Sequence, residues 1–190
     1  MATPKKLELK RFNMNRISFK KFECQGKGPV IVFIGRRDTG KSFLVKDFLY
    51  YHQTIPIGAV ISGTEAGNGF YSTVVPKQFI HHEYKTEIVQ KMMTRQTNIT
   101  KLVSLQIAKQ GKTDIDARSF LILDDCLWDA TWARDKVMRE VFLNGRHKNV
   151  LCIITMQYPL GIPPLMRTNI DYVFISVSYT HLTLPTIYSV

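Results

Sequence analysis

Cysteine is scarce in this sequence. Cys24, Cys126 and Cys152 are the only three, they are far apart, and no C-x-x-C pair occurs. That excludes a disulfide scaffold and the common thiolate zinc sites, and it points to a reducing, intracellular setting. Long apolar runs are also missing, so no stretch is able to cross a bilayer as a helix. The N-terminal MATPKKLELKRF is basic but has no apolar h-region, which argues against a secretory leader. Acidic residues are few: 15 Asp and Glu stand against 26 Lys and Arg, a net charge of +11. Such an excess favours a polyanionic partner. There is no internal repeat, and no N-K-x-D element of the kind that reads guanine. The latter favours ATP over GTP.

The stretch that organises the chain is Gly35-Arg36-Arg37-Asp38-Thr39-Gly40-Lys41-Ser42. An apolar run, Val30 to Ile34, precedes it, and a helical pattern from Phe43 to Tyr51 follows. Strand, G-x-x-x-x-G-K-S and helix in that order form the context of a phosphate loop. Gly35 and Gly40 free the backbone so that N–H groups curl around phosphate oxygens at a positive helix N-terminus. Lys41 offers a mobile charge to the β and γ phosphates, and Ser42 a hydroxyl to Mg²⁺. The nucleotide-contacting segment therefore runs through Gly35, Arg36, Arg37, Asp38, Thr39, Gly40, Lys41, Ser42 and Phe43.

Two further strand ends carry chemistry. Phe120 to Leu123 is apolar and runs into Asp124-Asp125. Asp124 suits a hard cation beside Ser42, and Asp125 suits the polarisation of an attacking water. Alone, Asp125 would read as a turn or helix cap. With a phosphate loop in the same chain, the catalytic role is favoured. Gln157 ends the apolar run Val150 to Met156, where it is placed to sense the γ-phosphate or the water, or simply to cap the strand. Arg146 is the first candidate for an arginine that stabilises the transferring phosphoryl group, in cis or in trans, and Arg139 the second.

Between these points the chain alternates. Strands are expected at 29–34, 55–61, 118–123, 150–156 and 172–175. Helices are expected at 43–51, after Pro76 and on through 85–109, at 131–143, and briefly at 165–166. Residues 64–75 read as a loop. The pattern implies an α/β fold with three layers, a mostly parallel sheet between helices, and ligand chemistry at the C-terminal strand ends. Residues 1–27 form a basic leader with a hint of a strand around Ile17 to Phe22, and 28–176 an ATPase domain. Residues 177–190 contain VSYTHLTLPT, which looks like a translated sequencing adapter; the tail is expected to be non-native and the domain truncated at its C-terminus.

Taken together, GRRDTGKS, FLILDDC, NGRHKN and IITMQYP resemble the DNA-packaging ATPases of nucleocytoplasmic large DNA viruses, within the FtsK–HerA superfamily of P-loop motors. The resemblance covers about residues 29–175. It implies a RecA/FtsK-like fold, with Lys41 and Ser42 at the nucleotide and metal positions, Asp124 as metal carboxylate and Gln157 as sensor. Many relatives in the superfamily have Glu where Asp125 stands. The function implied is ATP- and Mg²⁺-dependent translocation of double-stranded DNA, independent of its sequence, into a capsid. A homo-oligomeric ring, a capsid or portal partner, and a place in the host cytoplasm or the virion are implied with it. Two rivals share the phosphate loop: a small-molecule or nucleoside kinase, and a non-hydrolysing nucleotide-dependent assembly protein. The absence of arginine from 64–75 counts against the first, and the Asp124-Asp125 pair against the second. A related motor serving plasmid transfer or chromosome translocation is a third.

Overall fold

The structure, a computed structural model, describes Ile17, residues 28–126 and residues 131–176. The leader, apart from Ile17, and the adapter-like tail lie outside the described residues. Six strands make one sheet: β1 (Val30–Ile34), β2 (Gly58–Ser62), β3 (Ile80–His81), β4 (Ser119–Asp124), β5 (Val150–Met156) and β6 (Tyr172–Ile175). Their order is β3-β2-β4-β5-β1-β6, and every pairing is parallel. The helices are α1 (Lys41–Tyr51), α2 (Glu65–Asn68), α3 (Thr86–Gln110), α4 (Thr131–Arg134), α5 (Lys136–Asn144) and α6 (Pro164–Arg167).

The central strands read as continuous apolar runs because both of their faces are covered. Alternate residues feed two cores. Val32, Ile61, Leu121, Leu123, Cys152 and Ile154 pack with Val89 and Met93 of α3 and Met138, Val141 and Phe142 of α5. Ile31, Phe33, Val60, Ile122, Leu151 and Ile153 pack with Val45, Phe48 and Leu49 of α1 and with Tyr71. The expected three-layer α/β architecture is therefore present, with Cys126 and Cys152 both buried in it.

Three local differences have physical causes. The segment after Pro76 is a single 3₁₀ turn, Lys77–Phe79, followed by the two-residue strand β3 before α3 begins. A strand that short leaves no periodicity to read. The expected 131–143 helix is split between α4 and α5, because Asp135 leaves the helical region at ψ 134° and caps α5 by accepting from Val137 N at 2.8 Å. The same carboxylate accepts from Tyr84 Oη and Thr86 Oγ1, a tertiary tie that favours the break. Finally, 64–75 is ordered. It holds α2 and the 3₁₀ turn Tyr71–Thr73, fastened by the buried Glu65 carboxylate, which accepts from Tyr71 N and Ser72 N at 2.8 Å each.

Candidate active site

In a parallel sheet all strands end on the same edge, and here β1, β4 and β5 end side by side. The phosphate loop follows β1. Gly40 takes φ 80°, the left-handed region, and so does Asp38 at 58°. Gly35 is needed for a different reason than expected: its φ is ordinary, but a Cβ would stand 2.7 Å from Thr39 Oγ1. Thr39 Oγ1 and Lys41 Nζ both donate to the Arg36 carbonyl, at 2.8 and 2.7 Å, which closes the loop on itself. Leu44 N bonds Gly40 O, so α1 starts directly at the loop and aims its N-terminal N–H groups into it.

Ser42 meets Asp124 as expected: its Oγ donates toward Oδ1 at 3.3 Å and Oδ2 at 3.5 Å across 82 residues of sequence. Asp124 is buried, and Thr155 of β5 donates to its Oδ1 at 2.6 Å. Burial pushes the Asp124 carboxyl up from its ordinary pKa, the hydroxyls of Thr155, Tyr71 and Ser42 pull it back, and the charge of Asp125 adds to the rise. Asp125 stands at φ 52°, a conformation that costs a non-glycine residue about 1–3 kcal/mol. It is held there from two sides. Its N–H donates to Thr155 Oγ1 at 2.9 Å, and its carboxylate accepts from Gln157 Nε2 at 2.9 and 3.2 Å. Asp125 and Gln157 then line a cleft of about 620 Å³ together with Arg37, Thr64, His82 and Glu83.

The donor set suits a hard divalent cation: oxygen only, one hydroxyl and one carboxylate, with room for phosphate and water. Among the described residues no three His, Cys, Asp or Glu side chains converge as a metal cage. A second sign is Tyr71. Its hydroxyl is buried beside Asp124 and Ser42, close enough to Asp124 that each affects the other's ionisation, yet it has no hydrogen bond within 3.5 Å among the described residues. Ser42 and Asp124 are the residues that would hold Mg²⁺.

Arg146 does not join them. It lies after α5, where the Arg146 carbonyl accepts from Gly28 N, at the start of β1. Its guanidinium pairs with Asp171, whose Oδ2 accepts from Val30 N. This is the opposite edge of the sheet, about 20 Å from the phosphate loop at 3.3 Å per residue along β1. Within one chain Arg146 cannot reach the nucleotide; only the trans half of the expectation is left. Arg139 is exposed on α5 and donates to Arg134 O at 2.9 Å. Phe43 projects from α1, 71% exposed and edge-on to Phe70.

Thr155, Tyr71 and Glu65 were not legible as site residues. Thr155 sits inside an apolar strand, and only a hydroxyl two residues before the strand-end glutamine hinted at it. Tyr71 and Glu65 fall in a segment whose Gly, Asn and Ser content reads as loop.

No family model matches the chain. It is 37% identical over 191 residues to the uncharacterized protein 075L of Invertebrate iridescent virus 6, covering 99% of this chain and 70% of that protein. It is 35% identical over 185 residues to the uncharacterized protein L437 of Acanthamoeba polyphaga mimivirus, covering 97% and 62%. Protein 015R of Frog virus 3 is 37% identical over 149 residues, covering 78% and 44%. The chain thus spans less than two thirds of the length of L437 and of 015R. Among solved structures, the genome packaging NTPase B204 from Sulfolobus turreted icosahedral virus 2 aligns with TM-score 0.52 at 17% identity, over 82% of this chain and 77% of that one. EssC (ATPases 2 and 3) from Geobacillus thermodenitrificans aligns with TM-score 0.59 at 12% identity, over 87% and 36%. At these identities the likeness is one of fold. The fold is that of the P-loop ATPases, and with 37% identity over 70% of 075L the chain belongs to the family of large-DNA-virus proteins that includes 075L.

Proposed function

We propose that this domain hydrolyses ATP with Mg²⁺ and uses the energy to drive double-stranded DNA into a capsid, as one subunit of a homo-oligomeric ring. The observation that carries the reading is the approach of Ser42 Oγ to within 3.3 Å of Asp124 Oδ1, with the Asp125–Gln157 pair beside them on one sheet edge. The division of labour we propose draws on that arrangement. Lys41, at the first turn of α1, swings from the Arg36 carbonyl to the β and γ phosphates. The loop N–H groups from Gly35 to Phe43 take the remaining phosphate oxygens. Ser42 and Asp124 would hold Mg²⁺, which would supply charge neutralisation at the transferring phosphate. Asp125 orients and polarises the attacking water, and Gln157 fixes the Asp125 carboxylate and senses the γ-phosphate. Arg146 of a neighbouring subunit supplies the transition-state cation.

DNA enters through charge. A net +11 favours contact with phosphates, which is independent of sequence and steeply salt-dependent. A capsid or portal component is the docking partner, in the host cytoplasm or the virion, as the viral relatives suggest. The kinase rival is disfavoured by 64–75: the segment is fastened to the core through Glu65 and lacks the arginines of a lid.

The test is phosphate release by the complete protein with and without duplex DNA, alongside Lys41→Ala. Expected are stimulation by DNA that fades as salt rises, and a loss of about a hundredfold or more in the variant. Stimulation by a small acceptor in place of DNA, or binding of nucleotide with no turnover by an assembled ring, would overturn the reading.

A further inference from the structure

Tyr71 is a buried polar side chain that the proposed mechanism leaves unused. It is 1% exposed, and its ring packs in the core cluster that contains Phe33, Phe48 and Ile122. Its hydroxyl has no hydrogen-bond partner among the described residues. A buried hydroxyl left unsatisfied lowers stability, and phenylalanine would fill the same space without that cost. The residue is not there by slack packing. Glu65 grips it through Tyr71 N and Ser72 N, Ser72 Oγ donates to Gly69 O at 2.7 Å, and Lys46 of α1 donates to Thr73 Oγ1 at 3.0 Å. These bonds hold the phenol beside Asp124 and Ser42.

The lone pairs of Asp124 show what it is for. Among the described residues, Oδ1 accepts the close bond from Thr155 and the approach of Ser42 at 3.3 Å, whereas Oδ2 receives the 3.5 Å approach of Ser42 alone. A carboxylate oxygen has capacity for two donors. We propose that Tyr71 is a positioning residue for the metal carboxylate, its neutral hydroxyl donating to Asp124 Oδ2 when Mg²⁺ and nucleotide engage Ser42 and Asp124. The inference rests on the ATPase reading above. A phenol suits the task better than lysine or arginine. It restrains the carboxylate without bringing a positive charge that would repel the cation and neutralise its ligand. Tyr71 also joins the metal site to the surface segment 64–75, and Phe70 carries that link to Phe43 at the start of α1, ring centroids 5.3 Å apart.

The experiment is Tyr71→Phe in the complete protein, read by thermal midpoint and by binding of a non-hydrolysable ATP analogue. In EDTA the variant is expected to melt at the wild-type temperature or above, and to bind the analogue as wild type does. The Mg²⁺ concentration for half-maximal analogue-induced stabilisation is expected to rise about tenfold, as for the loss of a hydrogen bond to a charged group. A merely structural hydroxyl would lower the midpoint in EDTA and leave the Mg²⁺ dependence alone; either result overturns the proposal. A wild-type protein with no Mg²⁺-dependent analogue binding would overturn the ATPase reading itself, and this inference with it.

Discussion

Thr155→Val removes one oxygen atom and tests whether the twin acids work as a unit. Thr155 is 1% exposed, on β5 between the two strands that carry the phosphate loop and the acids. Its hydroxyl donates to Asp124 Oδ1 at 2.6 Å and accepts from Asp125 N at 2.9 Å, so a single oxygen supports both carboxylates. Valine has nearly the same shape, so no cavity opens. The lost bond to a charged acceptor is worth about 1.5–3 kcal/mol, and the orphaned Asp125 N–H costs about 1–3 more. Valine no longer buries a hydroxyl, which returns about 1–3 kcal/mol. The net loss is about 2–3 kcal/mol, or roughly 5–10 °C in midpoint for a domain of this size. Activity should suffer more than stability. Asp125 leaves its φ of 52° once the anchor is gone, and a displacement of about 1 Å at a reacting group costs about a hundredfold.

The same substitution has a pH signature. Among the groups that pull the Asp124 carboxyl down, Thr155 is the largest; without it, burial pushes that carboxyl further up. A carboxyl whose folded pKa is raised costs stability above that pKa, and the cost disappears as pH falls through it and the group takes up its proton. The difference in midpoint between wild type and Thr155→Val should therefore be widest near neutrality and narrow on acidification. Thermal melts from pH 8 to pH 4 and steady-state phosphate release measure both effects, with Thr155→Ser as the control that restores the hydroxyl. A valine variant that melts within 1 °C of wild type (about 0.3 kcal/mol) and turns over normally would refute the reasoning.

Two further outcomes follow from the geometry. Asp135→Ala should lower the midpoint by about 2–6 °C through loss of the α5 cap and the Tyr84 and Thr86 ties. Burial opposes the Asp135 charge, but Thr86, Tyr84, Val137 N and Arg139 outweigh it and hold its pKa below the usual range. Its contribution is thus present above the ordinary carboxylate pKa and lost as pH falls through the depressed one, and melts at pH 7 and in strong acid would show the gap closing. Arg146→Ala should abolish turnover while nucleotide still binds, and mixing it with Lys41→Ala should restore part of the activity, because each variant supplies what the other lacks. Normal hydrolysis by Arg146→Ala alone would end its assignment as a trans cation.

Much of the site was legible because its chemistry is local. The phosphate loop is eight consecutive residues, and a strand that ends in Asp-Asp or Gln is visible wherever an apolar run stops. β5 and β6 have the expected bounds, since seven and four consecutive residues of that character leave little choice. What was missed depends on partners far away in sequence. Thr155 becomes a site residue only because β5 lies between β1 and β4. Asp135 breaks a helix only because Tyr84 and Thr86 reach it. Arg146, the first candidate for a cation in cis or in trans, stands at the far end of the strands, beside Gly28 and Asp171.

The sequence by itself determined the strand-loop-helix that can cradle phosphate, the carboxylates and glutamine at the strand ends, and the positive charge of the chain, because each is set by neighbouring residues. Strand order was decided by tertiary packing alone. The sheet order brings Ser42 to Asp124 across 82 residues and buries Tyr71 beside both. An apolar strand buried on two faces carries no mark of which strand will pair beside it; the helices that cover it settle that choice.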